Sequence, residues 1–309
     1  MRVFFVVYNY FLKQYKIMPM KKHVYHIPYL GFHTRAYTFG DIKNGTPLII
    51  LHGGPGGCVE RYEVLEQLAD QGIPLIFYDQ LGAGYSRVPK GNEDLWTFET
   101  YLKELENVIR FFGLKKFSIL GHSWGGMLAL EWVCKYPHEG LEKLILFSTL
   151  PSTKIWNDEH LKMIESYPKE QVEAILNEKD KKPYDKKLFK QGMKRFYDEH
   201  VGKKNQRKYT PKTKHFPKTN KEIYNKMWGF SELFGNGTLA DYDVTNLLYK
   251  VDVPTLILSG KYDESTPEMN RVMKEKIPHA KWVLLENSHH GGYNEEPDVV
   301  LEAISKFIK

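Results

Sequence analysis

Phe117-Ser-Ile-Leu-Gly-His-Ser123-Trp-Gly-Gly-Met-Leu-Ala-Leu-Glu-Trp-Val133 decides the fold. The run Phe117 to Leu120 is short and apolar, as a strand should be, and Met127 to Val133 opens a good helix. Between them, Gly121-His122-Ser123-Trp124-Gly125 fits G-x-S-x-G. A five-residue pattern is weak alone, but a strand, a sharp turn and a helix are the setting a nucleophile elbow requires. Small residues flank the serine because side chains there would clash in so tight a turn.

Working outward, short β-branched-rich runs alternate with longer helix-like segments, the pattern of a mostly parallel sheet covered by helices on both faces. The expected strands are Val24–Pro28 and Arg35–Phe39 as an opening hairpin, then Pro47–Leu51, Pro74–Tyr78, Phe117–Leu120, Leu144–Phe147, Thr255–Ser259 and Trp282–Leu285. Runs such as Leu48 to Leu51 lack polar alternation, which fits a strand buried on both faces. A helix is expected over Phe98–Phe112, with Tyr101, Leu102, Leu105, Val108, Ile109 and Phe112 on one stripe and Gly113 as its stop.

After Thr149 the rhythm breaks into a lysine-rich region with prolines and no strong strand run, and the alternation resumes near Val251. About ninety structureless residues are uncommon inside a compact unit, so Lys154–Tyr242 is expected to form a mainly helical cap or lid. The organisation expected is an N-terminal extension over residues 1–20, core over 21–150 and 246–309, and the cap over 151–245. Between Pro151 and Thr245 stand 20 lysines and arginines against 14 aspartates and glutamates, the whole of the chain's net +6, which a solvated outer face explains.

Composition excludes several classes. With 309 residues, 42% hydrophobic, the chain can bury a sizeable core, so disorder and coiled coil are excluded. The modest charge gives little support to a nucleic-acid partner. No run approaches the roughly 18 apolar residues of a membrane-spanning helix. The apolar start, Arg2 to Leu12, resembles a signal sequence but is interrupted by Asn9 and lacks a small-residue cleavage site. Cys58 and Cys134 form neither a disulfide framework nor a CxxC pair, so reduced thiols in the cytoplasm are expected. No HExxH or clustered Cys/His spacing suggests a metal, and no cofactor is expected.

Chemistry gathers around Ser123. His52-Gly-Gly-Pro-Gly-Gly57 follows a buried-looking strand, and such a loop lets backbone N–H groups approach an oxyanion. The amides of Gly54 and Trp124 are the expected pair, with Gly53 beside the substrate. A serine hydroxyl also needs a base and an acid to orient that base. Asp263 stands just beyond the strand Thr255–Ser259, and His289 just beyond Trp282–Leu285. The order Ser, Asp, His is that of the α/β-hydrolases. His290 is not separable from His289 by chemistry; the position after Asn287-Ser288 favours His289. His52 and His122 are read as structural hydrogen-bonding residues.

Together, HGGPGG, Tyr78-Asp-Gln-Leu-Gly-Ala-Gly-Tyr-Ser86, GHSWGG, GKYDESTP and ENSHH resemble the proline iminopeptidase family of α/β-hydrolases, from about Val24 onward. The resemblance implies Ser123 as nucleophile, Asp263 as orienting acid and His289 as general base. It further implies that acidic side chains, at Glu264 and at Glu232 in the cap, hold the free N-terminal amine of a peptide. Trp228, Phe230 and Phe234 are candidates to wall a slot for a proline ring. The expected function is thus a serine aminopeptidase that releases an N-terminal amino acid, preferentially proline, from small peptide or aminoacyl substrates through an acyl-enzyme. Rival readings are a hydrolase of amino-acid amides, esters or lactones, and a ligand sensor without turnover.

Overall fold

The computed structural model describes residues 21–213 and 215–309; the expected N-terminal extension and its signal-like run lie outside the described residues. Eight strands form one sheet: β1 (His23–Tyr29), β2 (Phe32–Phe39), β3 (Leu48–Leu51), β4 (Leu75–Tyr78), β5 (Phe117–His122), β6 (Leu141–Phe147), β7 (Thr255–Gly260) and β8 (Lys281–Leu285). Their order is β1-β2-β4-β3-β5-β6-β7-β8. β1 and β2 pair antiparallel, as do β2 and β4, and every pair from β4 to β8 is parallel. Pro47 and Pro74 stand just outside their strands. Neither has an N–H to give the ladder, but their carbonyls accept from Ser118 and Leu48 at 2.8 Å.

Alternation along the strands divides the core into two layers. Ile49, Leu51, Ile119, Leu144 and Leu146 face one apolar cluster, and Leu48, Ile50, Leu120, Ile145 and Phe147 face the other. Helices α1 (Phe98–Phe111), α2 (Trp124–Lys135) and α7 (Pro267–Lys276) contribute to the first layer, and α8 (Pro297–Ile308) to the second. On α1, Thr97 Oγ1 accepts from Thr100 N at the start, Tyr101, Leu102, Leu105 and Val108 are buried, and Gly113 at φ 62° takes the chain out of the helix.

Between β6 and β7 the chain leaves the sheet and forms α3 (Thr153–Ile164), α4 (Lys169–Lys179), α5 (Lys186–Phe196) and α6 (Lys221–Met227). The two ends of this segment meet at an antiparallel bridge between Ser152 and Asp243, reinforced by Val244 N donating to Pro151 O and Thr153 N to Tyr242 O, each at 2.9 Å. The segment has a small apolar cluster of its own, built on Ile164, Tyr167, Ile175, Met193, Phe196, Leu233 and Phe234. Much of its charge lies in solvent-facing pairs one turn apart, such as Lys154–Asp158 and Arg195–Glu199, each worth only a few tenths of a kcal/mol.

Candidate active site

Ser123 sits where β5 turns into α2, with φ 54° and ψ −122°, a conformation that side chains rarely adopt and that only surrounding structure can impose. Its N–H donates to Phe147 O at 2.9 Å, and Thr149 Oγ1 donates to its carbonyl at 2.8 Å. The flanking glycines are required by contact. A Cβ on Gly125 would overlap the Leu51 carbonyl, and one on Gly121 the Gly125 carbonyl.

The glycine loop after β3 lies against this turn: a Cβ on Gly53 would stand 3.1 Å from Ser123 Cβ. Gly53 N–H donates to Tyr62 Oη at 2.8 Å, and Tyr62 Oη lies 2.9 Å from His122 Nδ1. With the tyrosine proton on that bond, His122 Nε2–H donates to the His290 carbonyl at 3.1 Å. His52 likewise bridges the Gly53 carbonyl at 2.9 Å and the Gln80 N–H at 3.0 Å. Burial pushes the His122 imidazole down to about 3 and that of His52 to about 4, so both are neutral scaffolding. Neither the Gly54 nor the Trp124 amide donates to an acceptor among the described residues. Asp79 fastens the next turn, accepting from Val59 N and Tyr85 N at 2.9 Å each, and a Cβ on Gly84 would overlap its carboxylate.

Of the two histidines, the structure brings His290 rather than His289 to Asp263. His289 turns away, its N–H donating to Glu295 Oε2 at 2.6 Å and its Nδ1 lying 3.3 Å from the same carboxylate. His290 instead places Nδ1 2.8 Å from Asp263 Oδ1. The loop is steered by contacts distant in sequence, since His290 N–H donates to the His200 carbonyl at 3.1 Å. Burial raises the Asp263 carboxyl, but His290, Ser148 and the Ser265 amide outweigh it and hold the group below the usual range. Burial lowers His290, yet Asp263 with Glu232 and Glu295 prevails and raises it.

Ser123 and His290 line one cavity of about 320 Å³ together with Gly53, Gly54, Glu232 and Glu264. Glu264 is fully buried, neither carboxylate oxygen has a hydrogen-bond partner, and Oε1 lies 3.4 Å from His290 Nε2. Burial, then the charges of Glu232 and Asp263, push its carboxyl well above the ordinary value. Glu232 reaches the same space and accepts from Tyr224 Oη at 2.6 Å; burial raises it despite that bond.

The expected aromatic wall is not formed by the residues proposed for it. Trp228 is buried against Trp156, its indole N–H donating to the Glu232 carbonyl at 3.2 Å, and it does not line the cavity. Phe230 is 62% exposed and Phe234 belongs to the cluster beneath. The aromatic lining comes from Tyr62, Tyr197, Tyr224 and Tyr293, joined by Arg61 and Arg207. None of these six has a sequence signal, although Arg61 and Tyr62 follow the glycine loop closely enough to have been suspected.

Comparison with known proteins bears on the family of the chain. Residues 46–297 match the family described as the alpha/beta hydrolase fold. A proline iminopeptidase of Lactobacillus helveticus (strain DPC 4571) is 35% identical over 290 residues, covering 91% of this chain and 96% of that protein. One of Clostridium botulinum is 34% identical over 289 residues, covering 92% and 97%. The crystal structure of a proline iminopeptidase from Mycobacterium smegmatis aligns with a TM-score of 0.77 at 25% identity, over 93% of this chain and 97% of that one. The chain belongs to the proline iminopeptidase family of α/β-hydrolases. No helix among the described residues is long and apolar enough to cross a membrane.

Proposed function

We propose that the chain is a serine aminopeptidase that releases the N-terminal amino acid, by preference proline, from small peptides. His290 takes the proton of Ser123, whose oxygen attacks the carbonyl of the first residue, while the Gly54 and Trp124 amides donate to the oxyanion. His290 then protonates the departing amine, and water, activated by the same imidazole, releases the amino acid from the acyl-enzyme. Asp263 holds the ring in the tautomer with a proton on Nδ1. These steps require no metal or organic cofactor.

The observation that carries the reading is Glu264, a buried carboxylate without a hydrogen-bond partner, 3.4 Å from His290 Nε2 in the cavity of Ser123. A buried charge is sustained only when paired, and the cation that suits this place is the ammonium of a peptide's first residue. Once an ammonium takes Glu264 and Glu232, His290 Nε2 is left to Ser123 Oγ. The mainly helical segment 151–245 serves as the cap that brings Glu232 over the sheet. A cytoplasmic location belongs to the same reading, supported by two buried free cysteines whose thiols burial raises to about 11.

Proline p-nitroanilide and its N-acetyl derivative test the proposal. Turnover of the free amine and little or none of the acetylated compound is expected; equal rates, or far faster hydrolysis of p-nitrophenyl butyrate, would overturn it.

A further inference from the structure

We propose that the opposite end of the cavity, built on Arg61 and Arg207, holds the free α-carboxylate of the departing residue, so that the substrate is a zwitterionic dipeptide. This rests on the aminopeptidase reading and adds its second half.

The sheet order supplies the direction. Arg61 follows the loop after β3, Ser123 follows β5, and Glu264 follows β7, while β5 stands between β3 and β7 in the sheet. The scissile bond at Ser123 therefore has the Glu264 carboxylate on one side and the Arg61 guanidinium on the other. Arg61 Nη2 donates to Thr219 Oγ1 at 2.7 Å, but its Nε is buried without an acceptor, and neither Arg61 nor Arg207 forms a salt bridge among the described residues. Buried polar groups are nearly always satisfied, and a guanidinium on the wall of a ligand cavity with an unsatisfied N–H and no counter-ion calls for an anion from the ligand. Arg61, Arg207 and Tyr293 line the same cavity.

An arginine's planar fork matches a carboxylate with two parallel N–H···O bonds, a fit that an amide or anilide does not reproduce. Size agrees with the chemistry. Two extended residues span about 7 Å, and a cavity of about 320 Å³ suits a ligand of that size. Two acids for one ammonium and two arginines for one carboxylate mirror the charges of a dipeptide.

The test compares kcat/KM for Pro-Gly with that for Pro-Gly-NH2, using proline p-nitroanilide to report on the aminopeptidase chemistry itself. The wild-type protein is expected to favour the acid by about tenfold or more, as the loss of a charge-assisted pair implies. In Arg61→Met that ratio should fall towards one, and in Arg61→Lys only in part, because a point charge without the fork remains. Arg207→Gln, at an exposed position, provides a second variant and should also reduce the ratio. A ratio within one enzyme is unaffected by the fraction that folds, and loss of the Thr219 contact alone would slow both peptides equally. If the wild-type protein cleaves acid and amide alike, or the preference survives Arg61→Met, the carboxylate site is wrong while the aminopeptidase stands. If none of the three substrates is cleaved, both readings fall.

Discussion

The Tyr62 hydroxyl lies 2.9 Å from His122 Nδ1, at the centre of a chain running from the Gly53 amide to the His290 carbonyl. One phenol thus couples the loop proposed to stabilise the oxyanion to the backbone of the proposed base. Tyr62→Phe leaves two buried groups unpaired, each worth about 1–3 kcal/mol. Thermal melting should show the loss, and kcat for proline p-nitroanilide should fall more than KM changes. Unchanged melting and rate would mean that the chain supports nothing.

The paired histidines give a direct discrimination. His290→Gln should lower kcat by about 10⁴-fold or more, as loss of a triad base does in other serine hydrolases. His289→Gln removes the ring's contacts with Glu295 and Tyr262, neither of which involves Ser123 or Asp263, and should stay within about tenfold of wild type. The reverse ranking would restore the sequence-based assignment.

Glu264→Gln should trade activity for stability. The neutral isostere weakens ammonium binding, so kcat/KM for proline p-nitroanilide should fall about 10- to 100-fold. The Glu264 carboxyl titrates higher in the folded chain than in the unfolded one, so its stabilising proton is fully bound below about pH 4.5. That stability is lost as pH rises through the raised value. Denaturation of the variant should therefore show a gain over wild type at neutral and alkaline pH that vanishes at about pH 4. A variant less stable at all pH values would contradict the burial argument.

Activity should rise with pH as His290 gives up its proton, and because His290 is raised, this limb lies above the usual imidazole value. Asp263→Asn removes the largest charge that raises it. The limb should then move to lower pH while kcat falls about 10⁴-fold. Profiles of kcat/KM measured for both proteins would expose a limb that fails to move.

Gly125→Ala tests the elbow itself. The added methyl meets the Leu51 carbonyl, which belongs to a paired strand and cannot withdraw, so a loss of about 1–3 kcal/mol is expected. A denaturation midpoint equal to wild type would show that the turn is looser than its contacts imply.

Strands buried on both faces were legible because their apolar runs carry the signal unaided, as at Leu48–Leu51. Their ends were not. β6 begins at Leu141 because pairing with β5 continues through Lys143 and, past an irregularity at Glu142, to Leu141; the polarity of Glu142 and Lys143 hides the strand. Ser123, Asp263 and the acidic pair were legible as positions, since each belongs to a recognisable motif. Orientation was not legible. His289 and His290 point to different partners because Glu295 and His200 pull on the loop, and Trp228 is consumed by packing; neither contact leaves a local trace. Arg61, Arg207 and Tyr197 reach the site through tertiary folding alone.

His160 sets Nδ1 2.8 Å from the Leu233 carbonyl and Nε2 2.9 Å from that of Glu264, so one imidazole spans the two peptide units next to or within the paired acids. The width of a single ring thereby gauges the separation of their backbones. A disturbance that lifts α3 by an ångström would blur the proposed sensing of where a peptide begins before it dulled the proposed blade that cuts.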